Sequence, residues 1–229
     1  MTDASQRTLW IALGGFLLLL TLEASLGMDR LLTSWCYDAS ASPGWFLGAA
    51  PPWHWLYHYG VYPVFMLTGL IGGVALGSLW WPAWRVCRRA CLIFILTVLL
   101  GPGMLINGLL KPYWGRPRPR QVIDFGGTLP YRHWWQPGGY GHGKSFPSGH
   151  ASMGYALFAA TTLLPQRHIW WRRSSVAVAF AYGTLLGVTR IIQGGHFASD
   201  VLWAGSLMVL TSVLLQWALA SQPSRFNRQ

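Results

Sequence analysis

Charge is what this sequence lacks most. Only 10% of its 229 residues are Asp, Glu, Lys or Arg, against ~25% in an ordinary soluble domain. That is too little to cover a water-facing surface, so a soluble globular domain is excluded. Acids are scarcer than bases: six Asp and Glu stand against 17 Lys and Arg, a formal net charge of +11. Lysine is nearly absent, with Lys111 and Lys144 the only two. Cysteine is rare and odd in number: Cys36, Cys87 and Cys91. Three cysteines make no disulfide framework, and no Cys/His cluster has zinc spacing. Cys87 and Cys91 are four apart at the start of an apolar run and read as small buried residues.

What the chain does have is apolar length. Hydrophobic residues make up 52% of it, with 15 Trp, and several apolar runs approach ~20 residues, the length of a membrane span. The sequence reads as all-α: a polytopic membrane protein with six transmembrane helices, forming one integral membrane domain over 1–229. The spans fall at about 8–27, 55–81, 90–110, 148–164, 174–193 and 198–220. Small residues at Ala24-Ser25-Leu26-Gly27 resemble a signal-peptide cleavage site; the first run is nevertheless read as a retained span, with Glu23 at the membrane interface. Gly73 and Gly77 form a G-x-x-x-G that permits close helix packing. Gly101-Pro102-Gly103 and Asn107 mark a kink in the third span.

Basic residues sort the loops. Arg85, Arg88 and Arg89 lie in one short loop, Arg167, His168, Arg172 and Arg173 in another, and Arg225 and Arg228 in the tail. With six spans all three fall on one side, together with both termini, and the positive-inside bias makes that side cytoplasmic. Segment 112–146 and the 194–197 turn then face outward, which in a bacterial inner membrane is the periplasm. A net positive charge raises nucleic acid as a partner. The basic residues are divided between both membrane faces, so the partners expected are the bilayer and an anionic lipid, with no nucleic acid.

The outward face collects the chemistry. Arg190, His196 and Asp200 bring a guanidinium, an imidazole and a carboxylate between two apolar runs, where charge is costly. If Phe197 to Asp200 is helical, His196 and Asp200 form an i,i+4 pair. The carboxylate can then hold one ring nitrogen and leave the other to attack. Gly194-Gly195 is where the helix is expected to break. Lys111 supplies a point charge at a span end and Arg118 a fork that matches phosphate. Pro117 and Pro119 hold Arg116 and Arg118 extended. Ser148 is placed as the cap of the fourth helix, Gly149 lets backbone approach an anion, and His150 stands where a general acid belongs.

Lys111-x6-Arg118-Pro119, Pro147-Ser148-Gly149-His150 and Arg190-x5-His196-x3-Asp200 resemble the three signature motifs of the type 2 phosphatidic acid phosphatase superfamily, in the same order. Thr189 departs from the serine many members carry there. The doubled Arg-Pro leaves Arg116 as an additional helper beside Arg118. The resemblance implies a helical membrane core and a metal-independent lipid phosphatase without cofactors. His196 would be the nucleophile, forming a phosphohistidine, with Asp200 orienting it and His150 as acid and then base. Lys111, Arg118, Arg190, Ser148 and Gly149 would bind the phosphoryl oxygens.

The contexts of 101–103, 114–119 and 193–197 look like the bacterial branch that contains lipid A 4′-phosphatases. Trp134, Trp135 and Tyr140 suit either a sugar face or the membrane interface. Undecaprenyl diphosphate and phosphatidylglycerol phosphate remain rival substrates, and a lipid-to-lipid phosphotransferase is a close variant. An anionic-lipid transporter using the same arginines without chemistry is the alternative from another class. His133, His142 and Lys144 are loop residues near the site with no role fixed.

Overall fold

A computed structural model describes residues 4–220 apart from 43 and 166. The basic tail with Arg225 and Arg228, and so the side on which the chain ends, lies outside the described residues. Helix α1 covers Ala4–Leu26, and a short α2, Met28–Ser34, follows after Gly27. Helices α3 (Trp53–Tyr59) and α4 (Tyr62–Gly77) form one broken hairpin arm. Helix α5 (Arg88–Val98) runs into a π-helical stretch, Leu99–Leu110, and then a turn of helix α6, Lys111–Trp114. Helix α7 (Gly149–Tyr155) continues as a 3-10 helix, Ala156–Leu163; α8 is Ile169–Ile192 and α9 Ala198–Ala220.

Among the described residues, five helical stretches are long and apolar enough to cross a membrane: Arg7–Leu26, Trp53–Gly77, Pro82–Gln121, Ile169–Ile192 and Ala198–Leu219. The fourth of the six expected spans is the one that falls short. It is seven α-helical residues followed by eight of 3-10 helix, about 26 Å in all. It is also the most enclosed element, with Ala151, Tyr155, Ala156, Phe158 and Ala159 buried. Lipid-facing bulk is carried elsewhere: Leu18, Met66, Leu70, Leu76 and Leu214 are exposed, as a hydrocarbon solvent requires.

Packing against α7 is tight because side chains are missing on both sides. A Cβ on Gly154 would meet the Gly183 Cα of α8 at 2.6 Å. Phe16 of α1 crosses Tyr155 edge-to-face at 5.2 Å. The G-x-x-x-G at Gly73 and Gly77 does not make such a contact. Gly73 faces open space and Gly77 lies against the Trp84 ring. The kink expected near residues 101–107 is present as the π stretch around Pro102, where the Asn107 amide donates to the Pro102 carbonyl at 2.7 Å. Glu23, placed at the interface from sequence, is instead buried in the bundle.

Helices α5 and α8 both start at the basic-loop end. They deliver Lys111 and Arg190 to the opposite end, beside the N-terminal turns of α7 and α9.

Candidate active site

The backbone knots the three motif segments together. Gly194 adopts φ +59°, a region that favours glycine, and reverses the chain after α8. The amides of Gly195 and His196 both donate back to the Arg190 carbonyl, at 2.8 and 3.3 Å. The Arg120 amide donates to the Gly194 carbonyl at 3.1 Å, and the Ser148 amide to the Asp200 carbonyl at 3.1 Å. Ser148 caps α7, its hydroxyl accepting from the Ala151 amide at 3.4 Å.

His196 is 1% exposed. Its Nδ1 lies 3.6 Å from Asp200 Oδ2, the i,i+4 pairing expected from sequence. Burial holds the ring well below its ordinary value, with Lys111 and Arg190 adding repulsion and Asp200 opposing them. The imidazole is therefore neutral, with a lone pair available. Asp200 is held on every side. Oδ1 accepts from Arg116 at 2.6 Å, and Oδ2 accepts from the Ser145 hydroxyl at 2.5 Å and the Phe197 amide at 2.9 Å.

Lys111, Arg118 and Arg190 are close enough for their charges to repel. Among the described residues none of the three pairs with a carboxylate. The acid near them among the described residues, Asp200, is already engaged by Arg116. The Nε atoms of Arg118 and Arg190 are buried without a hydrogen-bond partner. Arg190 is aimed by Gln193, whose Oε1 accepts from Nη1 at 2.5 Å. Two glycines make room for the cations. A Cβ on Gly149 would meet Asn107 Oδ1 at 2.8 Å and Lys111 Nζ at 3.2 Å; one on Gly195 would run into Arg190 Nη2. What remains is a cationic cleft with free donors, a fit for an anion.

His150 is partly buried beside this cleft, and its Nε2 lies 3.1 Å from the Tyr57 carbonyl oxygen. That oxygen only accepts, so Nε2 carries the proton and Nδ1 is left for exchange. Arg116 does not face the cleft. It is fully buried and bound to Asp29 and Asp200. Lys144 is exposed, although its charge reaches Lys111. His142 is exposed, and His133 stacks on Trp135 at 4.3 Å. Trp134 packs on Trp203 at 5.0 Å, which turns it towards the bundle, whereas Trp135 and Tyr140 remain exposed.

Four contributors carry no signature in the sequence: Asp29, Tyr57, Ser145 and Asn107. Each lies outside the recurring spacings and reaches the site only through the fold.

Comparison with known proteins identifies the family. Residues 89–223 match the model of the PAP2 superfamily. A lipid A 4′-phosphatase of Francisella tularensis subsp. novicida is 35% identical over 170 residues, covering 72% of this chain and 73% of the relative. A lipid A 4′-phosphatase of Rhizobium leguminosarum is 37% identical over 125 residues, 52% of this chain and 51% of the relative. A lipid A 1-phosphatase of Rhizobium etli is 34% identical over 128 residues, 53% and 49%. The chain thus spans about half the length of the two Rhizobium relatives. The crystal structure of a transmembrane PAP2 type phosphatidylglycerolphosphate phosphatase from Bacillus subtilis shares the fold. It gives a TM-score of 0.51 at 21% identity, covering 96% of this chain and 99% of that one. With a matched family region that contains all three site segments, the chain belongs to the PAP2 superfamily.

Proposed function

We propose that this single integral membrane domain is a lipid phosphatase acting on a phosphorylated glycolipid of the lipid A type, through a phosphohistidine on His196. The observation that carries the reading is the cationic cleft of Lys111, Arg118 and Arg190, none paired with a carboxylate among the described residues, against a buried histidine whose Nδ1 faces Asp200 at 3.6 Å. Similarity to lipid A phosphatases supports the substrate class.

The chemistry follows from the positions. Nδ1 of His196 faces Asp200, so Nε2 attacks phosphorus as the ester P–O bond breaks. His150 enters the cycle as the imidazolium, protonated on both nitrogens, and the leaving oxygen takes its Nδ1 proton, which leaves the ring neutral. Water then gives a proton to His150 and attacks phosphorus, the P–N bond breaks, and its electron pair returns to His196. Lys111, Arg118, Arg190, the Ser148 hydroxyl and the Gly149 amide hold the three equatorial oxygens throughout. Side-chain cations supply the positive charge, so turnover should not need a metal.

The cleft sits at the end of the bundle away from Arg85, Arg88, Arg89, Arg167 and Arg173. The positive-inside bias then favours the periplasmic side of a bacterial inner membrane for it.

The test is phosphate release by purified protein in detergent with EDTA, offered lipid A, undecaprenyl diphosphate and phosphatidylglycerol phosphate. Preferred release from lipid A, lost in His196→Ala, is the expected result. Release from none of the three overturns the reading and favours transport of an anionic lipid. Preference for one of the other two overturns the substrate class alone.

A further inference from the structure

Arg116 and Asp29 are a buried ion pair that the phosphate site itself does not require. Arg116 is 0% exposed and Asp29 0%. Every nitrogen of the guanidinium is occupied. Nε donates to the Arg132 carbonyl at 2.9 Å; Nη1 donates to Ser199 at 2.8 Å and Asp200 at 2.6 Å; Nη2 donates to Asp29 at 2.7 Å and Tyr131 at 3.4 Å. The Phe197 ring covers one face, 4.5 Å from Cζ. No donor is left for a phosphate oxygen, in contrast to Arg118 and Arg190.

Asp29 does two things at once. Its Oδ2 accepts from Arg116 and from the Ser199 hydroxyl at 2.6 Å, while Oδ1 accepts the Ser199 amide at 2.8 Å. The second bond satisfies a free N–H in the first turn of α9, the turn that carries Asp200. Asp29 also shares the charge of Arg116. An arginine facing Asp200 alone would neutralise it and weaken its hold on His196. An arginine split between two carboxylates leaves Asp200 anionic enough to balance the imidazolium that forms on attack. The remaining groups around Asp29 are Tyr131, which donates to it at 3.3 Å, and Glu23, buried behind it. Arg30 next to it is turned away into a pair with Asp124, and His133 lies near enough to feel both Arg116 and Asp29.

We infer that Asp29 and Arg116 are positioning residues for the nucleophile: Asp29 fixes Arg116, Arg116 fixes Asp200, and Asp200 sets the orientation and tautomer of His196. This rests on the phosphatase reading above. It makes Arg116 a part of the catalytic alignment rather than a phosphate ligand. It also ties α2, which lies before the family-matched region, to the reaction.

The experiment compares wild type with Asp29→Asn, Arg116→Lys, Ser199→Ala and Arg118→Gln on whichever phosphorylated lipid the wild type turns over. It reads kcat, KM, inhibition by inorganic phosphate, and the rate of phosphohistidine formation in a single turnover. Asp29→Asn and Arg116→Lys should lower kcat and the phosphorylation rate by about 10–100-fold, the usual effect of removing a partner that orients a reactive ligand. KM and phosphate inhibition should stay within about threefold, because no phosphate contact is lost. Arg118→Gln should do the reverse, weakening phosphate inhibition and raising KM. A raised KM with weakened phosphate inhibition in Arg116→Lys would make Arg116 a ligand and overturn the inference. Unchanged kcat in Asp29→Asn would overturn it too. If Asp29→Asn does not fold, Ser199→Ala decides. It removes one hydroxyl from the link, so a severalfold lower kcat with unchanged phosphate inhibition supports the inference, and wild-type kcat ends it. A wild type that hydrolyses no phosphorylated lipid removes the parent reading. A turning-over wild type with unaffected variants removes this inference alone.

Discussion

The imidazole of His150 lies parallel to the ring of Tyr57, with centroids 5.1 Å apart and planes within 19°. Below the stack, Nε2 of His150 donates to the Tyr57 carbonyl oxygen at 3.1 Å. The same tyrosine ring lies 4.5 Å from the Arg190 guanidinium carbon. One residue on α3 therefore sets the tautomer of His150, the proposed acid and base, and the position of Arg190, a proposed phosphate ligand.

Tyr57→Leu removes the stack and the cation–π contact but keeps the carbonyl. Together those contacts are worth about 1–3 kcal/mol, so kcat/KM should fall about 10–100-fold. Tyr57→Phe keeps the ring but loses the hydroxyl that bonds the Arg190 guanidinium, so it should fall less than Tyr57→Leu. Steady-state kinetics of the two variants check this.

Gly149→Ala and Gly195→Ala press on the cations rather than on the core. The new methyl groups would stand 2.8 Å from Asn107 Oδ1 and in collision with Arg190 Nη2. The longer side chains must yield, and a displacement of ~1 Å at a reacting centre costs about 100-fold in rate. Activity should drop by about that factor with a small change in melting temperature. Equal loss of activity and fold would place these glycines in the scaffold instead.

The His196 ring is pushed by burial from an ordinary value of 6.5 down to about 3. The unfolded chain thus takes up a proton below about pH 6.5 that the folded protein refuses until about pH 3. The stability tied to this group is fully present above pH 6.5 and is lost as pH falls, at up to ~1.4 kcal/mol per pH unit for one proton. The melting temperature should decline between pH 6.5 and 4, and His196→Gln should decline less steeply. His196, the proposed nucleophile, is neutral throughout pH 5–8, so any acid limb of kcat/KM in that range belongs to another group.

The three motif segments were legible because each packs its chemistry into a few neighbouring residues. Lys111 with Arg118, Ser148 to His150, and Arg190 with His196 and Asp200 all come together as their spacing implied. The division of labour between Arg116 and Arg118 was not legible. Arg118 has φ −78° and ψ 155°, the polyproline II region, where three residues make a turn. Side chains two apart then point about 120° from each other, which sends one arginine inward and the other to the cleft. Asp29 could not be foreseen either: its partner in α9 is 170 positions away, and a lone acid after an apolar run looks interfacial. The fourth span keeps nearly its expected bounds, Gly149–Leu163, but its 3-10 half was not legible because a 3-10 stretch and an α-helix present the same apolar composition. Only the enclosure of α7 by its neighbours shows that it is a core element.

The central claim is a covalent phosphohistidine on His196, and trapping it is the most direct test. Purified protein is mixed with lipid A carrying ³²P phosphate, quenched within one turnover, and the protein-bound label is tested for acid lability and alkali stability. The account predicts acid-labile, alkali-stable label on the wild type and none in His196→Ala. Phosphate release without bound label, or label that survives His196→Ala, would contradict it.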